Sequence, residues 1–145
     1  MEFKQLENNK SCEAYLVRLN RGEELVSTLK QFCATNNIKL GQISGVGATD
    51  KFEIGLFNPT TKKYQAKVFE FPTEITSLTG NISTMNGETY LHLHGCFSDE
   101  SFQTLGGHLN SAVISATAEI IILKFNDQID RYFDENIGLN LWQLN

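Results

Sequence analysis

Residues 14–19 set the first rhythm of the chain: Tyr15, Val17 and Leu19 alternate with Leu16 and Arg18. Successive side chains of a strand point to opposite faces, so this pattern predicts a strand with one buried face. Asn20 to Gly22 then supplies a turn. The rhythm changes in "EELVSTLKQFCATNN", where Leu25, Leu29, Phe32 and Cys33 share one stripe at helical spacing. Glu23 and Glu24 suit the positive end of a helix dipole, and Asn36-Asn37 gives a stop. The spacing predicts an amphipathic helix over about residues 22–36, covering one face of a sheet.

After the helix, strand signals dominate. Gly41, Gly45 and Gly47 invite comparison with a phosphate-binding loop, but neither Gly-x-Gly-x-x-Gly nor Gly-Lys-Ser/Thr occurs. They are read as a tight connection and bulges between strands. Phe52 to Phe57 reads as a strand ending at Asn58-Pro59, and "YQAKVFEFP" as another, closed by Pro72. "EITSLTGNISTMNG" gives two short segments around Gly80, then a hairpin turn at Asn86-Gly87. "TYLHLHGCF" leads out of that turn. "FQTLGGHLNSA" reads as a glycine-marked loop, and the β-branched run "VISATAEIIILKF" as a central, well-buried strand. In the tail, Phe133, Leu139, Leu141 and Trp142 are expected to tie the chain down. The whole predicts an α+β fold, mainly antiparallel β-sheet of about seven or eight strands with one principal helix, in a single domain spanning residues 1–145.

Composition narrows the function classes. Hydrophobic residues make up 41% of the 145 positions and charged residues 20%, which describes a folded chain rather than a disordered one. The net charge of −5 argues against gripping nucleic acid through a broad basic surface. Lys62, Lys63 and Lys67 form the only near-cluster of lysines, which reads as a solvated edge or turn. Three widely spaced cysteines, Cys12, Cys33 and Cys96, fit a reducing compartment better than a disulfide scaffold. With no signal-peptide pattern at residues 1–10 and no long apolar window, the expectation is a cytoplasmic protein without membrane association.

All three histidines lie within "YLHLHGCFSDESFQTLGGHLN". On a strand His92 and His94 share a face, with Leu91, Leu93 and Gly95 turned toward a core. Their α-carbons would stand about 7 Å apart, close enough for two imidazoles to meet on one ion. A turn at Gly106-Gly107 would bring His108 to the same point. Three histidines with an open fourth position form a catalytic-type zinc arrangement, and other divalent transition metals suit imidazole as well. The alternatives are a neutral-histidine site for an anion or small polar ligand, and a subunit contact. Glu119, in an otherwise apolar run, is expected to be buried and to serve as a second-sphere or ligand-facing carboxylate, with Arg18 as its partner. Glu74 is the other such candidate. No Gly-x-Ser-x-Gly elbow accompanies Ser101 or Ser111, and Cys96 reads as an inert thiol. Metal-activated water would make a hydrolase or lyase conceivable, with no substrate indicated.

"EITSLTGNIS", "YLHLHGCFSD" and "LGGHLNSAVISATAEIIIL", with "YLVRLNRGEELVSTLKQF" and "ISGVGAT" before them, resemble the plant-and-prokaryote conserved domain over nearly the whole chain. The resemblance implies an α+β fold assembled as a homotrimer. It also implies that His92, His94 and His108 lie together near a subunit boundary, where some members carry metal. Bacterial members are often labelled DNA-binding. Plant members self-associate and contact nuclear proteins, while a separate AT-hook touches DNA. This sequence has no AT-hook, which removes the arginine arm that would enter a minor groove. A DNA-binding or transcription-associated role is therefore the alternative to a small trimeric protein with a metal or small-ligand site.

Overall fold

The computed structural model describes residues 1–5 and 12–144. The chain runs β1 (Glu2–Gln5), β2 (Cys12–Asn20), α1 (Leu25–Thr35), β3 (Gly41–Asn58), β4 (Lys63–Phe69), β5 (Thr73–Met85), β6 (Glu88–Ser98), β7 (Thr104–Phe125), β8 (Arg131–Asp134) and β9 (Leu139–Trp142). Seven strands form one antiparallel sheet in the order β1-β2-β7-β6-β5-β3-β4, and β8-β9 form a separate hairpin. Because β3 also pairs with β7, the strands β3, β5, β6 and β7 are hydrogen-bonded in a closed circuit.

Period-two patterning places the core. Tyr15, Val17 and Leu19 point inward from β2, as do Leu93 and Phe97 from β6 and Ile120 and Ile122 from β7. Phe52 of β3 stacks on Phe97 with ring centroids 4.1 Å apart. From α1, Leu25, Leu29, Phe32 and Cys33 close this layer, and Phe32 meets Tyr15 edge-on. Each such apolar side chain contributes about 1.5–3 kcal/mol on burial. Glu24 caps the helix by accepting from the Val26 and Ser27 N–H groups, and its Oε1 also accepts from Ala112 N–H of β7 at 3.0 Å. One carboxylate thus fixes both the start of α1 and its seat on the sheet.

Several sequence expectations are corrected. Gly41, Gly45 and Gly47 lie inside β3 rather than in a connection, although the expected bulge is present as a register shift against β5 between Gly45 and Gly47. The two segments around Gly80 are one continuous strand, because glycine is needed there for close approach: a Cβ at Gly80 would collide with the His92 carbonyl and Leu93. Gly106 and Gly107 are likewise strand, not loop, within a 22-residue β7. The apolar run of β7 is buried on one face only, with Glu119 and Ile121 outward. The hairpin at Asn86-Gly87 has both residues at positive φ, as a tight primed turn requires.

In the tail, Phe133, Leu139 and Trp142 are largely exposed and Leu141 only half-buried, so apolar anchoring is not what holds it. Buried Arg131 does that work. Its guanidinium donates to Ser83 Oγ (2.8 Å), Asn140 O (2.8 Å) and Asn81 Oδ1 (2.7 Å), and lies over the Tyr90 and Trp142 rings. Thr84 adds a hydrogen bond to Asp130. Polar ties of this kind leave no periodic signature.

Candidate functional site

Strand parity and strand pairing together assemble the histidines. His92 and His94 leave β6 on the outer face, while Leu93 and Gly95 between and beyond them are buried. His108 arrives by register, since β7 pairs with β6 and places it directly opposite His94. The three ring centroids stand 5.1, 5.2 and 5.5 Å apart, and one nitrogen from each ring lies within 4.8 Å of the others.

Among the described residues, no hydrogen bond occupies the side-chain nitrogens of these three histidines. Desolvation, then the proximity of His108, His94 and Arg131, pushes the His92 imidazole down to about 4. Burial and the neighbouring His94 also hold His108 below the ordinary histidine value. Both shifts favour the neutral imidazole, whose lone pair is free to bind a metal. Nitrogen donors that converge and lack partners fit a divalent transition metal.

A cleft of about 470 Å³ opens beside His92 and His94. Gln42, Thr79 and Asn81 give it polar walls, and Leu40, Phe125 and Trp142 apolar ones. On the other flank, the Tyr64 ring meets His108 edge-on and its hydroxyl donates to Asn110 Oδ1 at 2.7 Å. Asn81, Arg131 and Tyr64 were not foreseen from sequence. Asn81 faces His92 across the β5–β6 hairpin, whereas Arg131 and Tyr64 arrive through contacts distant in the chain, and no motif marked any of the three.

The carboxylate candidates lie elsewhere. Glu119 is exposed rather than buried, opposite Arg18 on β2 and Val46 on β3. These residues line a different groove, with Leu16 and Ile121. Outward parity in β7, not an apolar surrounding, sets its environment. Glu74 is exposed on β5 opposite Ser98, which is about 13 Å along β6 from His94. Neither carboxylate joins the histidines. Cys96 is exposed, Cys33 is buried with its thiol pushed up to about 12, and Cys12 is also unbridged. No helix among the described residues is long and apolar enough to cross a membrane.

A partly closed antiparallel sheet with one covering helix and an outward three-histidine cluster defines the class. The chain belongs to the Plants and Prokaryotes Conserved (PCC) domain family, whose pattern matches residues 6–126. Among solved structures it is similar to a candidate DNA-binding protein from Bacteroides thetaiotaomicron, at 35% identity and a TM-score of 0.90 over 97% of this chain and 96% of that one. A metal-containing protein from Archaeoglobus fulgidus is 32% identical, with a TM-score of 0.85 over 97% and 96% of the two chains. A plant- and prokaryote-conserved protein from Pyrococcus horikoshii is 31% identical, with a TM-score of 0.84 over 98% and 94%. No curated protein matches significantly.

Proposed function

We propose that this protein is a small homotrimeric metal-binding protein, with His92, His94 and His108 as the ligands of one divalent transition metal. The observation that carries the reading is the convergence of three imidazole nitrogens within 4.8 Å, free of competing hydrogen bonds. The metal-containing relative from Archaeoglobus fulgidus supports it. Zinc suits three imidazoles with a fourth position left open to solvent or ligand. A bound metal of this kind supplies Lewis acidity and lowers the pKa of water, the chemistry of hydrolases and lyases. This chain's residues would position a ligand through Asn81, Gln42 and Thr79, while the Leu93 side of β6 keeps the ladder rigid behind the histidines.

Assembly into trimers is supported by the exposed apolar face around Leu16, Val46 and Ile121, a surface that a monomer seldom leaves open. Three unbridged cysteines support a reducing, cytoplasmic setting. Regulation through DNA is the second reading, favoured by the Bacteroides thetaiotaomicron relative and by the exposed Lys62, Lys63 and Lys67 around β4. The net charge of −5 weighs against it.

Elemental analysis of untagged protein purified without added metal tests the leading reading. The expected result is about one transition-metal ion per chain, with zinc supplementation filling any deficit. Metal that stays well below one per chain after supplementation overturns it.

A further inference from the structure

The cleft beside the histidines offers polar groups but no acidic one. In a chain with 17 acidic residues, none of the residues lining this cleft carries a carboxylate. The polar groups offered are the amides of Gln42 and Asn81 and the Thr79 hydroxyl.

Asn81 is oriented by its neighbour. Its Oδ1 accepts the Arg131 Nη2 hydrogen bond at 2.7 Å, which fixes which end of the amide is which. The Nδ2 group has no partner among the described residues, so it remains as a donor at the cleft wall. Asn81 is also paired directly opposite His92 across the β5–β6 ladder. Behind it, the Arg131 charge is confined by Tyr90 and Trp142 and held by three hydrogen bonds. That charge cannot swing out to bind a ligand itself, but it adds positive potential at His92. Leu40, Phe125 and Trp142 make up the apolar lining of the cleft.

We propose that the cleft takes a small carboxylate with an apolar or aromatic body. One carboxylate oxygen faces the three-histidine site, the other accepts from Asn81 Nδ2, and the apolar body lies against Leu40, Phe125 and Trp142. The inference rests on the metal reading above. An acid-free wall, an oriented amide donor and a fixed buried cation all disfavour a cationic ligand. A neutral amide of the same shape loses the charge-assisted contact, and the cleft volume suits a ligand of this size.

Calorimetric titration of zinc-loaded protein with phenylacetate, phenylacetamide and 2-phenylethylamine tests this, with zinc content measured on the same samples. A cobalt-substituted sample gives a second readout, because a ligand at the open position changes its visible spectrum. The expected order is phenylacetate about tenfold or more tighter than the amide, with no detectable binding of the amine. Asn81→Asp keeps an acceptor for Arg131 but replaces the Nδ2 donor with negative charge. Gln42→Glu adds charge at an exposed position without touching Arg131. Each should weaken phenylacetate about tenfold while zinc content stays at the parent level. Equal binding of acid, amide and amine by fully loaded protein, or full affinity in both variants, overturns the carboxylate assignment and leaves the metal site standing. Failure to take up zinc overturns both.

Discussion

His94 of β6 stands directly opposite His108 of β7, and their ring centroids are 5.5 Å apart. A cross-strand pair, not a flexible turn, therefore sets the distance between them. The side chain of His94 is exposed and takes no part in the core. His94→Ala should change the stability of metal-free protein by no more than about 0.5 kcal/mol. It should nevertheless reduce bound metal to a small fraction of the parent, because two imidazoles hold zinc far more weakly than three. Paired measurement of metal content and urea midpoint checks both halves. A variant that keeps its metal removes His94 from the ligand set.

Metal-free protein should lose stability in acid through His92. The unfolded chain takes up this proton near pH 6.5, whereas the folded one holds it off to about pH 4. Between those values the unfolded state binds more protons, so stability falls as pH is lowered. The loss begins below about 6.5 and is complete below about 4. Denaturation midpoints of chelated protein at pH 7.5 and 4.5, compared with His92→Gln, isolate this contribution from carboxylate titration. The variant should show a smaller drop, and an equal drop would refute the assignment.

Local rules read the elements, and pairing over long sequence distances decided the rest. The stripe of Leu25, Leu29, Phe32 and Cys33 marked α1 correctly, and the alternation around His92 and His94 gave their shared face. The glycines misled. At Gly80 and Gly106-Gly107 they mark places where strands run close together, which a single sequence cannot distinguish from loops. Glu119 misled for a related reason. A β-branched run looks wholly buried until the sheet shows that one face is open, and only then does Ile121 join Glu119 outside. The histidine cluster was legible because two of its members lie two residues apart. Asn81 and Arg131, 50 positions apart, were not.

Glu24 joins the helix to the sheet, and removing its carboxylate tests that joint. Glu24→Ala deprives the Val26, Ser27 and Ala112 N–H groups of an acceptor at once. A lost cap typically costs about 1 kcal/mol, and an unsatisfied, partly buried donor adds about 1–3 kcal/mol. Chemical denaturation should therefore show a loss of about 2–4 kcal/mol. Glu24→Gln should recover part of it, since the amide oxygen still accepts. A loss below about 0.5 kcal/mol would mean that water replaces the carboxylate freely.

Self-association should show in solution mass. Light scattering at micromolar concentration is expected to give about 49 kDa, three times the 16.3 kDa of one chain. Ile121→Glu places a charge on the open face beside Leu16 and Val46, where burial against another copy would leave it unpaired. That variant should shift toward the single-chain mass while keeping its β-sheet circular dichroism. A parent protein that scatters as a monomer ends the trimer proposal.

Nucleic acid gives the sharpest division between the two functional readings. The exposed lysines at 62, 63 and 67 are the one concentration of positive charge around β4, set against a net charge of −5. Duplex binding draws most of its affinity from phosphate neutralisation and the release of counterions. Three lysines on an edge strand supply few such contacts, and no arginine arm is present to enter a minor groove. AT-rich and random duplexes titrated at about 0.15 M salt should therefore bind no tighter than micromolar and without sequence preference. Charge reversal at Lys63 and Lys67 should weaken that signal to the same extent for both duplexes if it is non-specific background. Submicromolar binding that weakens steeply with added salt and disappears in the reversed variant would transfer the function to DNA. The histidine site would then act as a ligand-responsive element of a DNA-associated protein.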